Sequence, residues 1–129
     1  MNIDKNARYN ISHEWARKDG AAIVTGISDH AQHALGDIVY VELPAVGRKV
    51  KQMQPIAVVE SVKSVSDIFA PVSGEVIEVN KALEAMPEII NKDAFGEGWI
   101  AKIKMDATSE LDALMTAEGY EEHIKTNPH

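Results

Sequence analysis

The chain has 129 residues, one domain's length, and its 45% hydrophobic and 26% charged residues are ordinary globular usage, which excludes a disordered or fibrous chain. Thirteen Lys+Arg against twenty Asp+Glu give a net charge of −7, the wrong sign for nucleic acid or an anionic membrane; a partner with a basic docking surface fits better. No cysteine is present, which removes disulfides, thiolate nucleophiles and cysteine-rich metal sites.

No apolar run approaches the ~20 residues of a membrane span. Met1 to Arg8 lacks the apolar centre of a signal peptide, so an unprocessed cytoplasmic protein is expected. Trp15 to Ile27 reads as a hairpin with Asp19-Gly20 as its turn signal. Ser28 or Asp29 caps a short helix over His30 to Leu35; Asp29 with Gln32 has capping-box spacing, and Gly36 is its stop. Strands follow at Ile38 to Leu43 and Ile56 to Val62, separated by a turn at Pro44 to Gly47. Ile68 to Ala70 is short and apolar, Pro71 to Gly74 turns the chain, and Val76 to Val79 is another strand. Lys81 to Gly98 reads as loop with a helical turn at Ala82 to Ala85. Trp99, Ala101, Ile103 and Met105 alternate with Lys102 and Lys104, a half-buried strand. Thr108 or Ser109 caps a helix with Leu111, Leu114 and Met115 on one face, Tyr120 and Ile124 repeat the spacing after Gly119, and Asn127-Pro128-His129 is a frayed end. Short strands between turns suggest a sandwich or barrel with a helical tail.

One internal echo stands out. Gly36-Asp-Ile-Val-Tyr-Val-Glu-Leu-Pro44 resembles Gly74-Glu-Val-Ile-Glu-Val-Asn80, 38 residues later. Two such halves joined by a hairpin put that hairpin near a pseudo-twofold axis. Its middle is Glu60-Ser-Val-Lys-Ser64, which sets Lys63 at an exposed turn tip, reachable by another enzyme. Taken alone, Lys63 is one of ten lysines, and a lysine at a turn is ordinarily a solubility residue.

The flanks change that. With Glu60 three residues ahead and Ala70-Pro-Val-Ser-Gly-Glu75 behind, the sequence resembles the lipoyl and biotinyl carrier domains. Val62 and Ser64 follow the lipoyl type, since biotinyl domains flank their lysine with Met. From Tyr9 to about Tyr120 the chain is similar to the H-protein family of the glycine cleavage system. The similarity rests on His13-Glu-Trp15, Gly26-Ile27, Asp29-His-Ala-Gln32, Leu35-Gly-Asp37, Val41-Glu-Leu-Pro44, Glu60-Ser-Val-Lys63, Pro71-Val-Ser-Gly74, Val79-Asn80, Pro87 through Asn91, and Gly98-Trp99.

That resemblance implies a mainly β, lipoyl-domain-like barrel-sandwich hybrid. Its two small sheets are related by a pseudo-twofold, with a short helix in the N-terminal third. One domain spans 1–129, with a C-terminal helical extension at about 108–126. It implies lipoic acid in amide linkage on Lys63, and a carrier that is a shuttling substrate, not an enzyme. The implied partners are glycine decarboxylase, an aminomethyltransferase, dihydrolipoyl dehydrogenase and a lipoate ligase or octanoyl/lipoyl transferase, met by a monomer. Ser12, Glu14 and Asp67 are implied to hold a cationic amine, in a cleft lined by Ile27, Ala31 and Leu35. For lipoylation, Gly47 and Gly74 are expected to allow backbone that a Cβ would strain and so to set the height of the Lys63 turn, and Glu60 is expected to be the contact for the lipoate-attaching enzyme. Without the resemblance, Glu14 and Asp67 read as solvated surface acids, and Ile27 and Leu35 as core.

Two departures accompany it. Ala34 stands where some family members carry His, and neighbouring His33 is turned ~100° away on a helix. Asp93-Ala-Phe95 replaces the family's common Ser-Pro-Tyr. Two other readings compete. A relay that passes octanoyl or lipoyl groups to other lipoyl domains needs the same residues. A metal-dependent hydrolase centred on His30 and His33, with His13 and Glu14, lacks a third ligand at helical spacing. Trp15 and Trp99 read as core anchors, and Glu118 with Glu121-Glu122 as a solvated helix face.

Overall fold

In the computed structural model, which describes residues 2–126, the chain order is β1 (Arg8–Tyr9), β2 (Glu14–Asp19), β3 (Ala22–Ile27), α1 (Asp29–Leu35), β4 (Ile38–Glu42), β5 (Lys49–Val50), β6 (Pro55–Ser61), β7 (Val65–Phe69), β8 (Gly74–Val79), α2 (Ala82–Ala85), α3 (Ile89–Lys92), β9 (Ala101–Met105), α4 (Thr108–Asp112) and α5 (Ala117–Thr126). The frayed end expected at Asn127-Pro128-His129 lies outside the described residues. Two antiparallel sheets result: six strands in the order β1-β2-β3-β9-β8-β5, and three in the order β4-β6-β7. No helix among the described residues is long and apolar enough to cross a membrane.

The expected two-sheet, mainly β architecture is the one adopted. Ile23, Ile27, Val76 and Ile103 from the larger sheet meet Ile38, Val41, Val59 and Ile68 from the smaller in one core. The echo strands fall in opposite sheets, β4 in the smaller and β8 in the larger. Each carries a break in pairing register at the same point, Ile38/Tyr40 and Val76/Glu78, again 38 residues apart. A β-bulge bends a strand and strengthens its twist. The echo therefore extends from residue type to backbone geometry.

The larger sheet is covered on both faces. On its outer side Tyr9, Trp15, Val24, Ala117 and Tyr120 form a second core with Phe95 and Trp99. This explains why β3 is buried along its whole length instead of alternating. Trp15 is fully buried, as expected of an anchor. Trp99 is half-buried under the Lys102 ammonium, 5.8 Å from its ring.

Several local expectations need correction. The hairpin loop is Gly20-Ala21, with Asp19 already paired to Ala22. β1 and β5 have two residues each and left no periodic trace. The 81–98 stretch contains α3 as well as α2, and Asn80 ties it down by donating to the Glu97 and Trp99 carbonyls, both at 2.8 Å. Neither Thr108 nor Ser109 caps α4; both lie inside it, and the N-cap is Ala107 without a side-chain bond. The helix expected through Met115 ends at Asp112, because Met115 pairs with Tyr9 as a β-bridge. Gly119 lies within α5.

Candidate functional site

Lys63 is exposed at the turn between β6 and β7, as the spacing of the two strands required. The tip is held from inside. Ser61 Oγ accepts from Lys63 N–H at 3.3 Å and Ser64 N–H at 3.1 Å, and Ser61 N–H donates to the Ser64 carbonyl at 2.8 Å. Val62 N–H donates to the Asp37 carbonyl at 3.0 Å, pinning the turn to the start of β4.

Gly36 is the glycine that lies against Lys63. It ends α1 at φ +84°, and a Cβ built on it would sit 3.6 Å from Lys63 Cε. Asn91 of α3 fixes this corner. Its amide donates to Gln32 Oε1 and the Gly36 carbonyl, both at 2.9 Å, and its oxygen accepts from Ile38 N–H at 2.9 Å. α1 itself is capped as expected, with Ser28 Oγ accepting from Ala31 N–H. Gln32 bonds the Asp29 side chain at 2.7 Å, not the backbone N–H of a capping box.

Beyond that corner lies a cleft of about 150 Å³ between α1, β7 and the loop before β2. Ser12, Ile27, Ala31, Leu35 and Asp67, five of the six residues expected there, line it. Ile27 belongs to the main core as well, so it serves both roles. Ala34, His13 and His30 complete much of the wall. Two larger grooves, of about 600 and 610 Å³, contain neither Lys63 nor any expected cleft residue.

Glu14 is the sixth, and it sits behind this wall. It is 1% exposed, accepts the Ser12 hydroxyl at Oε1, and accepts Phe69 N–H at Oε2 at 3.1 Å. Desolvation pushes its carboxyl up to about 7, against the opposing pull of those hydrogen bonds. It is not a solvated surface acid, whereas Asp67 is exposed at the cleft.

The glycines expected to present the lysine are elsewhere. Gly47 precedes β5 and Gly74 pairs with Val50 of β5, both at the larger sheet, while the Lys63 hairpin belongs to the smaller. Gly47 has φ +93°. Gly74 is needed for closeness, not conformation: a Cβ there would fall 1.9 Å from the Lys104 carbonyl oxygen. Glu60 is half-buried on β6, in register with Tyr40 and Val65, both exposed.

A profile described as "Glycine cleavage H-protein" matches residues 7–127. The chain belongs to that family. It is 53% identical over 126 residues to the glycine cleavage system H protein of Thermus thermophilus, covering 98% of each. It is 52% identical over 124 residues to that of Alteromonas mediterranea, covering 95% of this chain and 96% of the relative. Its fold matches the crystal structure of a glycine cleavage system H protein from Mycobacterium marinum with a TM-score of 0.84. That match covers 98% of this chain and all of the other at 36% identity.

The described histidines do not assemble a metal centre. Among the described residues no three His, Cys, Asp or Glu are grouped to hold one, and His33 is exposed while His30 lines the cleft. His30 instead packs against the His13 ring. Its ring is 5.0 Å from that of His13, whose Nδ1 is 2.8 Å from Tyr120 Oη. Burial pushes the Tyr120 hydroxyl up to about 12. Sequence reasoning missed this cluster and the Asn91 clamp, since neither has a spacing signature.

Proposed function

We propose that this chain is the lipoyl-bearing carrier of glycine cleavage, with lipoic acid attached through an amide to Lys63. The observation that carries the reading is one juxtaposition. The lysine at the tip of a rigid hairpin lies against Gly36, at the end of the helix whose Ala31 and Leu35 wall a small cleft. Asp67 lies on β7, four residues past Lys63, and so at most about 13 Å away at ~3.3 Å per residue. That is of the order of a lysine side chain lengthened by a medium acyl group. Lys63 makes no ion pair among the described residues, so its amine is open to acylation.

When bound, the lipoyl ring supplies a disulfide that takes up a one-carbon aminomethyl unit and gives it up again. The chain's own residues do the rest. Ile27, Ala31 and Leu35 offer an apolar wall to the arm. Ser12 and Asp67 offer oxygens to a cationic amine, with Glu14 behind Ser12 adding negative charge when ionised. The cleft shields the cargo from water between visits to partners. Those partners are the glycine decarboxylase, the aminomethyltransferase and the dihydrolipoyl dehydrogenase. A lipoate ligase or octanoyl/lipoyl transferase reads the hairpin, with Glu60, between Tyr40 and Val65, as its contact. The chain is carrier and substrate in this cycle, not an enzyme.

The test is intact mass with fragment mapping of protein made in lipoate-supplied cells, for the parent and Lys63→Arg. Arginine keeps the charge but has no acylable primary amine. The parent is expected to carry one lipoyl group on Lys63, and the folded variant none and no support of glycine decarboxylation. Lipoyl on another lysine, or activity surviving the change, sinks the reading.

A further inference from the structure

We propose that His30 is a further positioning residue of this cleft, its Nε2 accepting a hydrogen bond from the ammonium group at the end of a loaded arm. The inference rests on the carrier reading above. His30 lines the cleft with Ser12 and Asp67. Its Nε2 is buried without a hydrogen-bond partner, the one such side-chain atom found among the described residues. An orphaned buried nitrogen destabilises the fold, so native structures seldom keep one without a use.

The neighbouring side chains have their bonds elsewhere. Ser12 gives its hydroxyl proton to Glu14. Tyr120 Oη is engaged by His13 Nδ1 at 2.8 Å and by Ser28 Oγ at 2.6 Å. The Gln32 amide donates to Asp29 at 2.7 Å. A donor arriving through the cleft completes the site. With its proton on Nδ1, a neutral imidazole accepts at Nε2, and an ammonium has three donors to share among Nε2 and the oxygens of Ser12 and Asp67. The tilted packing on His13, at 38° between the rings, does not explain the nitrogen, because a phenyl ring would pack there with nothing left orphaned.

The test uses the full chain lipoylated on Lys63, its occupancy checked by intact mass, then reduced and loaded chemically. One thiol, formaldehyde and ammonia condense to the aminomethyl thioether with release of one water and no change of oxidation state. We expect His30→Phe to lose the group roughly tenfold faster than the parent, equivalent to about 1.4 kcal/mol. His30→Gln keeps an acceptor oxygen and stays within about threefold, under 1 kcal/mol. In the parent the ¹⁵N signal of His30 Nε2 shifts on loading, and unloaded, unmodified His30→Phe resists denaturant better than the parent. Equal loss rates for parent and His30→Phe, or an Nε2 signal unmoved by loading, overturn the inference while leaving the carrier intact. A parent that accepts no group overturns the carrier reading and this inference with it.

Discussion

Glu14 shows how far one residue's chemistry depends on its covering. It is 1% exposed, and its carboxyl is pushed up to about 7 because burial penalises the charged form more than Ser12 and Phe69 favour it. The folded state therefore holds a proton there that the unfolded chain releases near 4.5. Stability falls as pH rises from about 4.5 to 7, and the whole penalty, on the order of 3 kcal/mol, is present above 7. Glu14→Gln keeps an acceptor for Phe69 N–H and removes the charge. It should equal the parent in denaturant resistance near pH 4 and exceed it at pH 8, as chemical unfolding at the two values will show. Nothing in His13-Glu14-Trp15 announces this. Trp15 points to a core, so strand alternation turns Glu14 the other way, ordinarily toward water. Here that side is closed as well, because the sheet is packed on both faces. Lys63 was legible for the opposite reason: two strand-length runs with a short polar gap leave the gap at a tip.

At the scale of elements, the β8–β9 pairing is the least tolerant join. Gly74 pairs with Met105, and its missing side chain lets the Lys104 carbonyl approach to where a Cβ would stand, 1.9 Å away. Gly74→Ala must push the strands apart, and we expect a loss of about 3 kcal/mol or more in equilibrium unfolding. Gly47→Ala meets open space and bears only the left-handed backbone penalty, roughly 1–2 kcal/mol. Equal losses for the two would show that β8 can shift without cost. The regular elements were readable because each repeats a period long enough to register: the β2–β3 hairpin, capped α1, and the alternating β9. β1 and β5 are too short to have one, and tertiary contacts alone define them. The α4 reading failed in an instructive way. Leu111, Leu114 and Met115 fit a helical face, but Tyr9 offers Met115 two backbone bonds, at 2.8 and 2.9 Å, and the chain leaves the helix to make them.

Over the whole molecule, the larger sheet divides the interior into two cores with different duties. The inner one joins it to the smaller sheet and so sets the Lys63 hairpin. The outer one docks α5 through Tyr120, which stacks on Tyr9 at 4.3 Å with an interplanar angle of 4°. Tyr120 Oη also reaches Ser28, the cap of α1, and His13 at the cleft wall, so the C-terminal helix braces one side of the cleft. The helical tail was legible in the sequence, but this bracing was not, since the partners lie 92 and 107 residues apart in the chain. Tyr120→Phe keeps the stacked ring and removes only the hydroxyl, leaving Ser28 Oγ and His13 Nδ1 without that partner. Buried groups deprived of one hydrogen bond lose about 1–2 kcal/mol here, against the ~1–3 kcal/mol general range. For a chain of this length that is a Tm drop of roughly 3–10 °C. The rate of lipoylation should stay at the parent's value, because neither Tyr120 nor α5 belongs to the core beneath the hairpin. Thermal unfolding and intact-mass time courses on the same preparations test both halves. A variant that melts earlier and also lipoylates slowly would mean that the outer core sets the hairpin too, and that the two cores act as one.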